Sequence, residues 1–404
     1  MVTHQLQEVA LKSRRALWAS FGLLGVVSMC WVARIPEIKD INNLTNSGFG
    51  LVLLGSALGS ITGAQLSGRL IHSFGSRNVM RFTAVTMSLG ICGIALSSHP
   101  IFLAFSLFVM GFGYSGTDLC VSVQAVALEN IMSKRSMSSF HGMWSLGAFL
   151  TTILGGSIAN FVSPQVNLIS VALLAAVFFL GVINYLLPSE LDDHDGGADE
   201  TKAKIPLFGS KVRPLWFLGF GLLGSLIAEG AASDWGALLL RDDMGVGKGL
   251  NASAYASFAL SMIITRFLGD RAMDHFGPRR LVLVAGLIGG IGWALSIAIA
   301  VPLSETHPLA ALFIINLGFA LAGFGIAPMF PAFILAASAI PGIAPSVSSA
   351  RAFVIGLSGF FIGPSIIGFL AEGTSISVAM SFPILALLVA GFLSLVIRSS
   401  NMPK

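Results

Sequence analysis

Charged residues are scarce in this sequence. Of its 404 residues only 10% are Asp, Glu, Lys or Arg, whereas 55% are hydrophobic, and the mean hydropathy is +0.85. A soluble domain usually carries about a quarter charged residues, so this chain cannot cover a soluble surface. The composition therefore excludes an ordinary soluble protein and predicts a membrane protein that crosses the bilayer several times.

Cysteine and chemically active motifs are also sparse. The three cysteines, Cys30, Cys92 and Cys120, lie in apolar runs without CxxC spacing, which indicates neither a disulfide framework nor a metal site. No Ser/His/Asp arrangement, metal-ligand cluster or phosphate-binding loop fits its sequence context, so we predict neither an enzyme nor a cofactor. The net charge of +4 is modest, and no basic cluster indicates a nucleic-acid partner.

Long apolar runs, in contrast, are abundant. A membrane-spanning helix needs roughly 20 apolar residues. Such runs predict an all-α integral membrane protein with twelve transmembrane helices, at about 16–35, 47–72, 78–98, 100–130, 139–161, 165–187, 212–240, 251–275, 279–302, 307–337, 345–371 and 375–397. Lys and Arg concentrate in the tails and in the loops predicted on the same side of the membrane as the N-terminus. The loops on the other side hold only Arg34, Lys39, Arg241 and Lys248. Both termini are therefore predicted to be cytoplasmic.

One long polar segment divides the chain near its centre. It is acidic first, with Glu190 and Asp192 among the acids, and then basic, which is typical of a solvated linker. The sequence thus predicts an N-terminal six-helix bundle at 1–187, a cytoplasmic linker at 188–213 and a C-terminal six-helix bundle at 214–404.

The two halves repeat four short motifs in the same order. The matched pairs are Phe21–Gly25 with Phe220–Gly224, Arg69–Arg77 with Arg271–Arg279, Gly111–Gly113 with Gly323–Gly325, and Ser138–His141 with Ser348–Arg351. Four ordered matches indicate an internal duplication, which is typical of transporters built from two pseudo-symmetric bundles.

These repeats carry a resemblance to a known family. The paired Arg-x-x-x-x-Phe-Gly-x-Arg loops and the twelve predicted helices resemble the major facilitator superfamily over nearly the whole chain. Within it, the likeness is to YbjJ-type bacterial inner-membrane proteins related to fucose permease, and rests on Trp31–Asp40, Phe140–Gly147, Ala228–Trp235 and Phe324–Pro331. The resemblance implies two six-helix bundles around a central polar cavity and transport by alternating access.

The resemblance also implies residues that gate the transport path. In the family an acid in each repeated loop helps to latch the bundles on the cytoplasmic side. The second loop keeps this acid as Asp274, whereas the first has His72. We predict gating roles for the loop residues Arg77, Asp274 and Arg279, and for His141 and Arg351 at the starts of predicted helices five and eleven. A proton relay is the alternative for His141.

Asp118 is the strongest candidate for a functional residue. It lies inside the apolar segment Gly111–Glu129, and a lone carboxylate in a bilayer is costly enough to indicate function. A carboxyl group that exchanges a proton is what a proton-coupled carrier needs, and fucose permease resembles this chain in having an acid there. The alternative is a structural acid paired with a buried Arg or a helix end. Phe330 occupies the matching place in the second half, so the scaffold does not require the acid.

Predicted helix seven supplies the acids of the second half. Glu229 is the candidate for a second proton-coupling group, with a structural ion pair as the alternative. Asp234, nearer the outer mouth, is a candidate substrate-binding, gating or structural residue. Arg266 on predicted helix eight is available to pair with Asp118 or Glu229, or to bind an anionic substrate.

Neutral side chains complete the candidate set. Gln124 and Asn316 are candidates for hydrogen bonds to a sugar-like ligand, and the aromatic candidates for stacking on it are Trp31, Trp144, Trp235 and Phe330. The run Gly111–Gly116 spells the dinucleotide fingerprint G-x-G-x-x-G, but it lies inside an apolar helix without a preceding strand. We therefore predict that it serves close helix packing, as do Gly55, Gly59 and Gly63.

Together these features predict a secondary active transporter, a monomer in the lipid of the bacterial inner membrane. The leading hypothesis is proton-coupled symport of a small polar solute, with a sugar-like solute favoured by the resemblance and the proton gradient as the driving force. A proton-driven exporter of a drug or metabolite is the alternative. Drug exporters of the superfamily typically carry a Gly-Pro pair in helix five, and the absence of such a pair from predicted helix five weakens this alternative. An alternative of another class is a non-transporting membrane receptor or scaffold.

Overall fold

The computed structural model describes residues 2–133, 136–192, 209, 212–341, 343 and 345–397. Most of the predicted linker, 188–213, lies outside these residues. Throughout the described residues all regular secondary structure is helical. The chain divides into two compact units, Met1–Gly196 (unit 1) and Gly197–Lys404 (unit 2).

Unit 1 contains eight α-helices in its described residues. They are α1 (Val2–Met29), α2 (Ile35–Ile41), α3 (Asn46–Val52), α4 (Leu54–Phe74), α5 (Ser76–Leu96), α6 (Pro100–Met132), α7 (Met137–Ser157) and α8 (Pro164–Ile183). A single 3₁₀ turn, Val32–Arg34, connects α1 to α2. The helix α6 packs along both α4 and α5, and α1 packs along α7.

Unit 2 is built in the same manner. Its helices are α9 (Arg213–Leu238), α10 (Ser253–Phe276), α11 (Pro278–Leu303), α12 (Pro308–Ile326), α13 (Met329–Ser338), α14 (Pro345–Leu357), α15 (Gly359–Gly373), α16 (Ile376–Ala379) and α17 (Ser381–Leu393). The helix α12 packs along α10 and α11, and α9 packs against α14 and α17.

Eleven helical segments of the described chain are long and apolar enough to cross a membrane, from Leu6–Ile41 to Ile376–Val396. The helix α7, with 21 residues, lies where the fifth apolar run was predicted. The prediction of an all-α integral membrane protein is therefore confirmed.

Local sequence signals account for where several helices begin. Proline is at the first helical position of α6, α8, α11 and α12, where its fixed φ suits the helix and no amide hydrogen is needed. The side chain of Thr45 caps α3 by accepting a hydrogen bond from Gly48 N at 3.1 Å. The side chain of Ser163 does the same for α8 by accepting from Val166 N at 3.3 Å.

Three predicted spans of unit 2 are interrupted, and the break between α16 and α17 falls at Met380. The break between α12 and α13 falls at Pro328, a residue type that interrupts helices. The break between α14 and α15 falls at Ser358, whereas Pro364 lies inside α15. The hydroxyl of Ser358 donates to Ile355 O at 2.6 Å, a local bond that competes with the helical backbone ladder.

The two units repeat the same backbone features. Gly75 and Gly277, at matching places in the repeated loops, have φ of 74° and 75°, a region that only glycine adopts freely. Gly111 lies against the backbone of Ser56, and Gly323 against the backbone of Phe258. Ser56 and Phe258 are as far apart in the chain as Gly75 and Gly277, so one contact recurs in both units.

The glycine stripe of α4 lies directly on α6. A side chain at Gly55, Gly59 or Gly63 would collide with a backbone carbonyl of α6, at Ala104, Phe108 or Phe112 respectively. Close approach of two helices through small residues is the packing mode that lipid-embedded helices favour. The sequence prediction that these glycines pack helices is confirmed.

One prediction about a charged residue is wrong. Asp192, assigned to a solvated linker, is fully buried and hydrogen-bonded to Ser76. Two of the cations counted in the predicted loops, Arg34 and Lys39, are also buried, with 0% and 8% exposure. In each case the side chain has polar partners, and this makes burial of the charge tolerable.

Candidate functional site

Asp118 lies in the interior of α6, the longest helix of unit 1. Its side chain is half-buried, and it forms no hydrogen bond or ion pair with the part of the chain that the structure describes. The neighbouring residues are committed to packing: Thr117 donates its hydroxyl to Thr83 Oγ1 at 3.0 Å, and Gly116 lies against the side chains of Ser67 and Thr83. The carboxyl group of Asp118 is therefore available to bind a proton or a ligand, whereas the residues beside it on α6 are held by packing and hydrogen bonds.

Gln124, two turns further along α6, has a different environment. It is fully buried, and Nε2 donates to Ser76 Oγ at 2.8 Å and to Leu187 O at 3.0 Å. Its Oε1 accepts from Leu187 N at 2.9 Å. The amide therefore holds unit 1 together, and we leave it out of the proposed substrate site.

Unit 2 brings Glu229 and Arg266 into electrostatic contact. Glu229 is a half-buried residue of α9, and the positive charge of Arg266 on α10 acts on it. Asp234 lies further along α9, also half-buried, and accepts a hydrogen bond from Ser233 Oγ at 3.1 Å. The structure thus places two acids and one arginine on two adjacent helices.

Tyr255 is a member of this cluster that the sequence reasoning missed. It is 1% exposed, its ring stacks on Phe258 with centroids 5.9 Å apart, and it interacts electrostatically with Glu229, Arg266 and Asp234. A sequence signal existed. Tyr255 precedes Arg266 by about three helical turns of roughly 3.6 residues, so both lie on one face of α10.

The aromatic candidates fall into two groups. Trp31 and Trp235 are buried, with 4% and 0% exposure, so their faces are used in packing. Trp144 is half-buried, and its indole Nε1 is buried without a hydrogen-bond partner among the described residues. Phe330 is 38% exposed and meets Phe353 edge-on at 6.0 Å. Only the second group retains surface for a ligand.

Asn316 is the neutral polar candidate of unit 2. It is half-buried on α12, and its Oδ1 accepts a hydrogen bond from Ser257 on α10 at 3.3 Å. Ser257 follows Tyr255 by two residues, so this bond connects α12 to the segment of α10 that carries the tyrosine.

Most of the predicted gating residues lie near helix ends, whereas Arg351 lies in the middle of α14. Arg77, in the first turn of α5, donates to the backbone oxygen of Asn184 within its own unit. His141 is exposed in α7 and meets Phe21 edge-on at 5.2 Å. Asp274 and Arg279 are exposed around the α10–α11 turn, and Arg351 is half-buried in α14. A latch between the units stays a prediction.

In the described chain, no group of three or more His, Cys, Asp or Glu side chains is arranged to hold a metal ion. The candidate groups are instead carboxylates, one arginine, one tyrosine and neutral polar side chains on helices that cross the membrane. Such ionisable residues inside transmembrane helices mark substrate and ion pathways.

Comparisons with known proteins agree with this picture. The model of the Major Facilitator Superfamily matches residues 16–363. An uncharacterised MFS-type transporter of Yersinia pestis is 29% identical over 372 residues, 91% of this chain and 91% of that protein. A mutant of the nucleoside transporter NupG has a TM-score of 0.72 at 12% identity, covering 95% of this chain and 100% of that one. The transporter FucP, in an outward conformation, has a TM-score of 0.62 at 15% identity, covering 96% and 98%.

The fold and these similarities define the class of the protein. It is a multi-span membrane transporter that performs secondary transport by alternating access. The chain belongs to the Major Facilitator Superfamily, a family that is in general non-enzymatic.

Proposed function

We propose that this transporter is a proton-coupled symporter that takes up a small polar solute, with a sugar-like solute favoured. Asp118 carries the coupled proton, and Glu229 contributes a second titrating group from unit 2. The observation that supports the proposal most is that Asp118 has no hydrogen-bond or ion-pair partner in the described chain although it lies within a membrane-spanning helix.

The coupling follows from the energy of a charge in the membrane. An ionised carboxylate inside the bilayer is costly, and a proton removes that charge. Protonation of Asp118 therefore favours the occluded state, and release of the proton on the other side favours reopening. The solute and the proton then cross together because the fully loaded and the empty carrier interconvert readily, whereas a carrier with only one of the two bound does not.

The cluster of unit 2 suits recognition of a polar solute. Glu229, Asp234, Arg266 and Tyr255 supply hydrogen-bond donors and acceptors of both charges, and Asn316 adds an amide. Within unit 2, Phe330 adds exposed aromatic surface. In unit 1, Trp144 is half-buried, and its indole Nε1 is a donor without a partner in the described chain. Flat apolar faces combined with a few polar groups are typical of small-molecule sites.

In its cellular setting, we place the protein as a monomer in the bacterial inner membrane with both termini cytoplasmic. Its partners are the solute and membrane lipid, and it uses the proton gradient without a bound cofactor. Arg77, His141, Asp274, Arg279 and Arg351 are the proposed gating residues.

The proposal is tested by transport in proteoliposomes. A thermal-shift screen of sugars, organic acids and drugs on the purified chain first identifies a solute that binds. The D118N variant is then expected to lose uptake driven by an imposed pH gradient while it retains exchange of the solute at equal concentration on both sides. Gradient-driven uptake by D118N at the wild-type rate would contradict the proposed role of Asp118 as the proton carrier.

Two controls separate the alternatives. Glu305, an exposed acid after α11, is neutralised as E305Q and is expected to leave uptake unchanged. Reversing the pH gradient distinguishes symport from export, because an antiporter accumulates its solute on the acidic side. Absence of flux for every binding solute would favour a receptor.

A further inference from the structure

Asp192 forms a buried hydrogen-bond cluster with the start of α5. Its Oδ2 accepts from both the backbone N–H and the hydroxyl of Ser76, each at 2.7 Å. Both residues are 0% exposed. Hydrogen bonds to an ionised acceptor are roughly twice as strong as neutral ones, and burial strengthens them further.

Gln124 extends this cluster to two further elements. The same Ser76 hydroxyl accepts from Gln124 Nε2, and Gln124 exchanges two hydrogen bonds with the backbone of Leu187, which follows α8. One cluster therefore joins the first residue of α5, the interior of α6 and the segment that enters the linker. Each member is buried, so breaking one bond leaves another polar group without a partner.

The anchor is specific to unit 1. Pro278 matches Ser76 in the second repeat, and proline has neither the amide hydrogen nor the hydroxyl that Asp192 binds. The glycine turns also differ: a side chain at Gly75 would meet Ser189, whereas no described residue lies within 4 Å of that place at Gly277. The chain after α8 is thus seated on unit 1 by contacts that the described residues of unit 2 do not repeat.

We propose that Asp192 is a positioning residue that fixes the start of the linker to unit 1. Residues 188–192 then belong to that unit and not to a solvated linker. The anchor rests on these hydrogen bonds and does not depend on the proposed transport function.

Hydrogen exchange of the full chain in detergent tests the anchor. In the wild-type chain the amides of Ser76 and Leu187 are expected to exchange slowly because side chains hold them. The D192A variant is expected to raise exchange in the first turn of α5 and in residues 184–192 by about tenfold or more. The D192N variant, which keeps the shape, is expected to show a smaller increase of the same pattern.

The matched control is Glu190, an exposed acid two residues earlier, removed as E190A. It is expected to exchange like the wild type. Fast exchange of both amides in the wild type, or equal exchange in D192A and E190A, would overturn the anchor. If D192A does not fold, S76A removes the two hydrogen bonds of the Ser76 hydroxyl, leaves the bond from its backbone N–H, and is read in the same way. The exchange measurement involves no transport. The anchor can therefore be refuted while the proposed function stands, and the proposed function can be refuted while the anchor stands.

Discussion

Arg34 and Asn167 are joined by a buried hydrogen bond, from Nε of the arginine to Oδ1 of the asparagine, at 3.0 Å. The same guanidinium pairs with Glu37 Oε1 at 3.1 Å and donates to the backbone oxygens of Ala159 and Val162 at 3.3 and 3.1 Å. One side chain thus connects the turn between α1 and α2 to the α7–α8 connection and to α8. The fork of five donors on arginine makes this possible, and lysine has no such geometry.

Replacement of Arg34 is expected to destabilise unit 1. In R34L four acceptors lose a donor, among them the carboxylate of Glu37, and breaking a buried pair in this way typically costs about 3–5 kcal/mol. In R34K the charge remains but the fork is lost, so we expect a smaller yet clear loss. Thermal unfolding of the purified variants in detergent measures both. An R34L variant as stable as the wild type would contradict the role of Arg34 as a clamp.

Substitution at Gly59 is expected to separate α4 from α6. The methyl group of G59A would collide with the carbonyl of Phe108, a backbone atom that cannot rotate away. Overpacking of this kind costs roughly 1–3 kcal/mol. The control is G181A, because no described residue lies within 4 Å of a side chain at Gly181. Thermal unfolding should show a lowered midpoint for G59A only, and equal midpoints would refute the close contact.

Neutralising Glu229 and Arg266 together is expected to cost less than the two single changes combined. Each single variant, E229Q or R266Q, leaves the other charge in the membrane without its counter-charge, whereas the double variant leaves neither. Coupled neighbours show interaction free energies of about 0.5–3 kcal/mol. A double-mutant cycle on thermal stability measures this, with E305Q plus R266Q as the additive control. Strict additivity for both pairs would show that Glu229 and Arg266 are not coupled.

Alanine at the two repeated turn glycines is expected to have unequal effects. Both have φ near +75° with ψ of 153° and 145°, a conformation that costs a residue with a side chain about 1–3 kcal/mol. The methyl group of G75A also meets the side chain of Ser189, whereas that of G277A meets no described residue within 4 Å. We therefore expect both variants to lose stability in thermal unfolding and G75A to lose more. A larger loss in G277A would show that the contact with Ser189 is unimportant.

Much of the fold could be predicted because each helix carries its own signals. The apolar runs, the prolines at helix starts and the repeated glycine loops are local features, and the described helices lie close to the predicted ones. The exception in α14–α15 shows the limit. A serine side chain bonded to its own backbone competes with proline as a helix breaker, and composition alone does not rank the two.

The candidate site was predicted less completely. Asp118, Glu229 and Arg266 were identifiable because a charge in an apolar helix stands out in the sequence. Tyr255 was not, because a tyrosine in such a helix is inconspicuous until its neighbours are known. Gln124 and Asn316 look alike in the sequence, yet one is sealed in a buried cluster and the other is half-buried on α12.

The sequence by itself determined that this chain is a multi-helical membrane protein with a duplicated architecture, since hydropathy and repetition are properties of the residues alone. Only the tertiary structure decided which polar side chains are already used. Asp192 and Arg34 have the composition of loop charges, but each is buried because contacts from distant parts of the chain satisfy it. A hydrogen bond between residues more than one hundred positions apart leaves no local trace in the sequence, and for that reason the structure was needed to separate anchors from candidate functional groups.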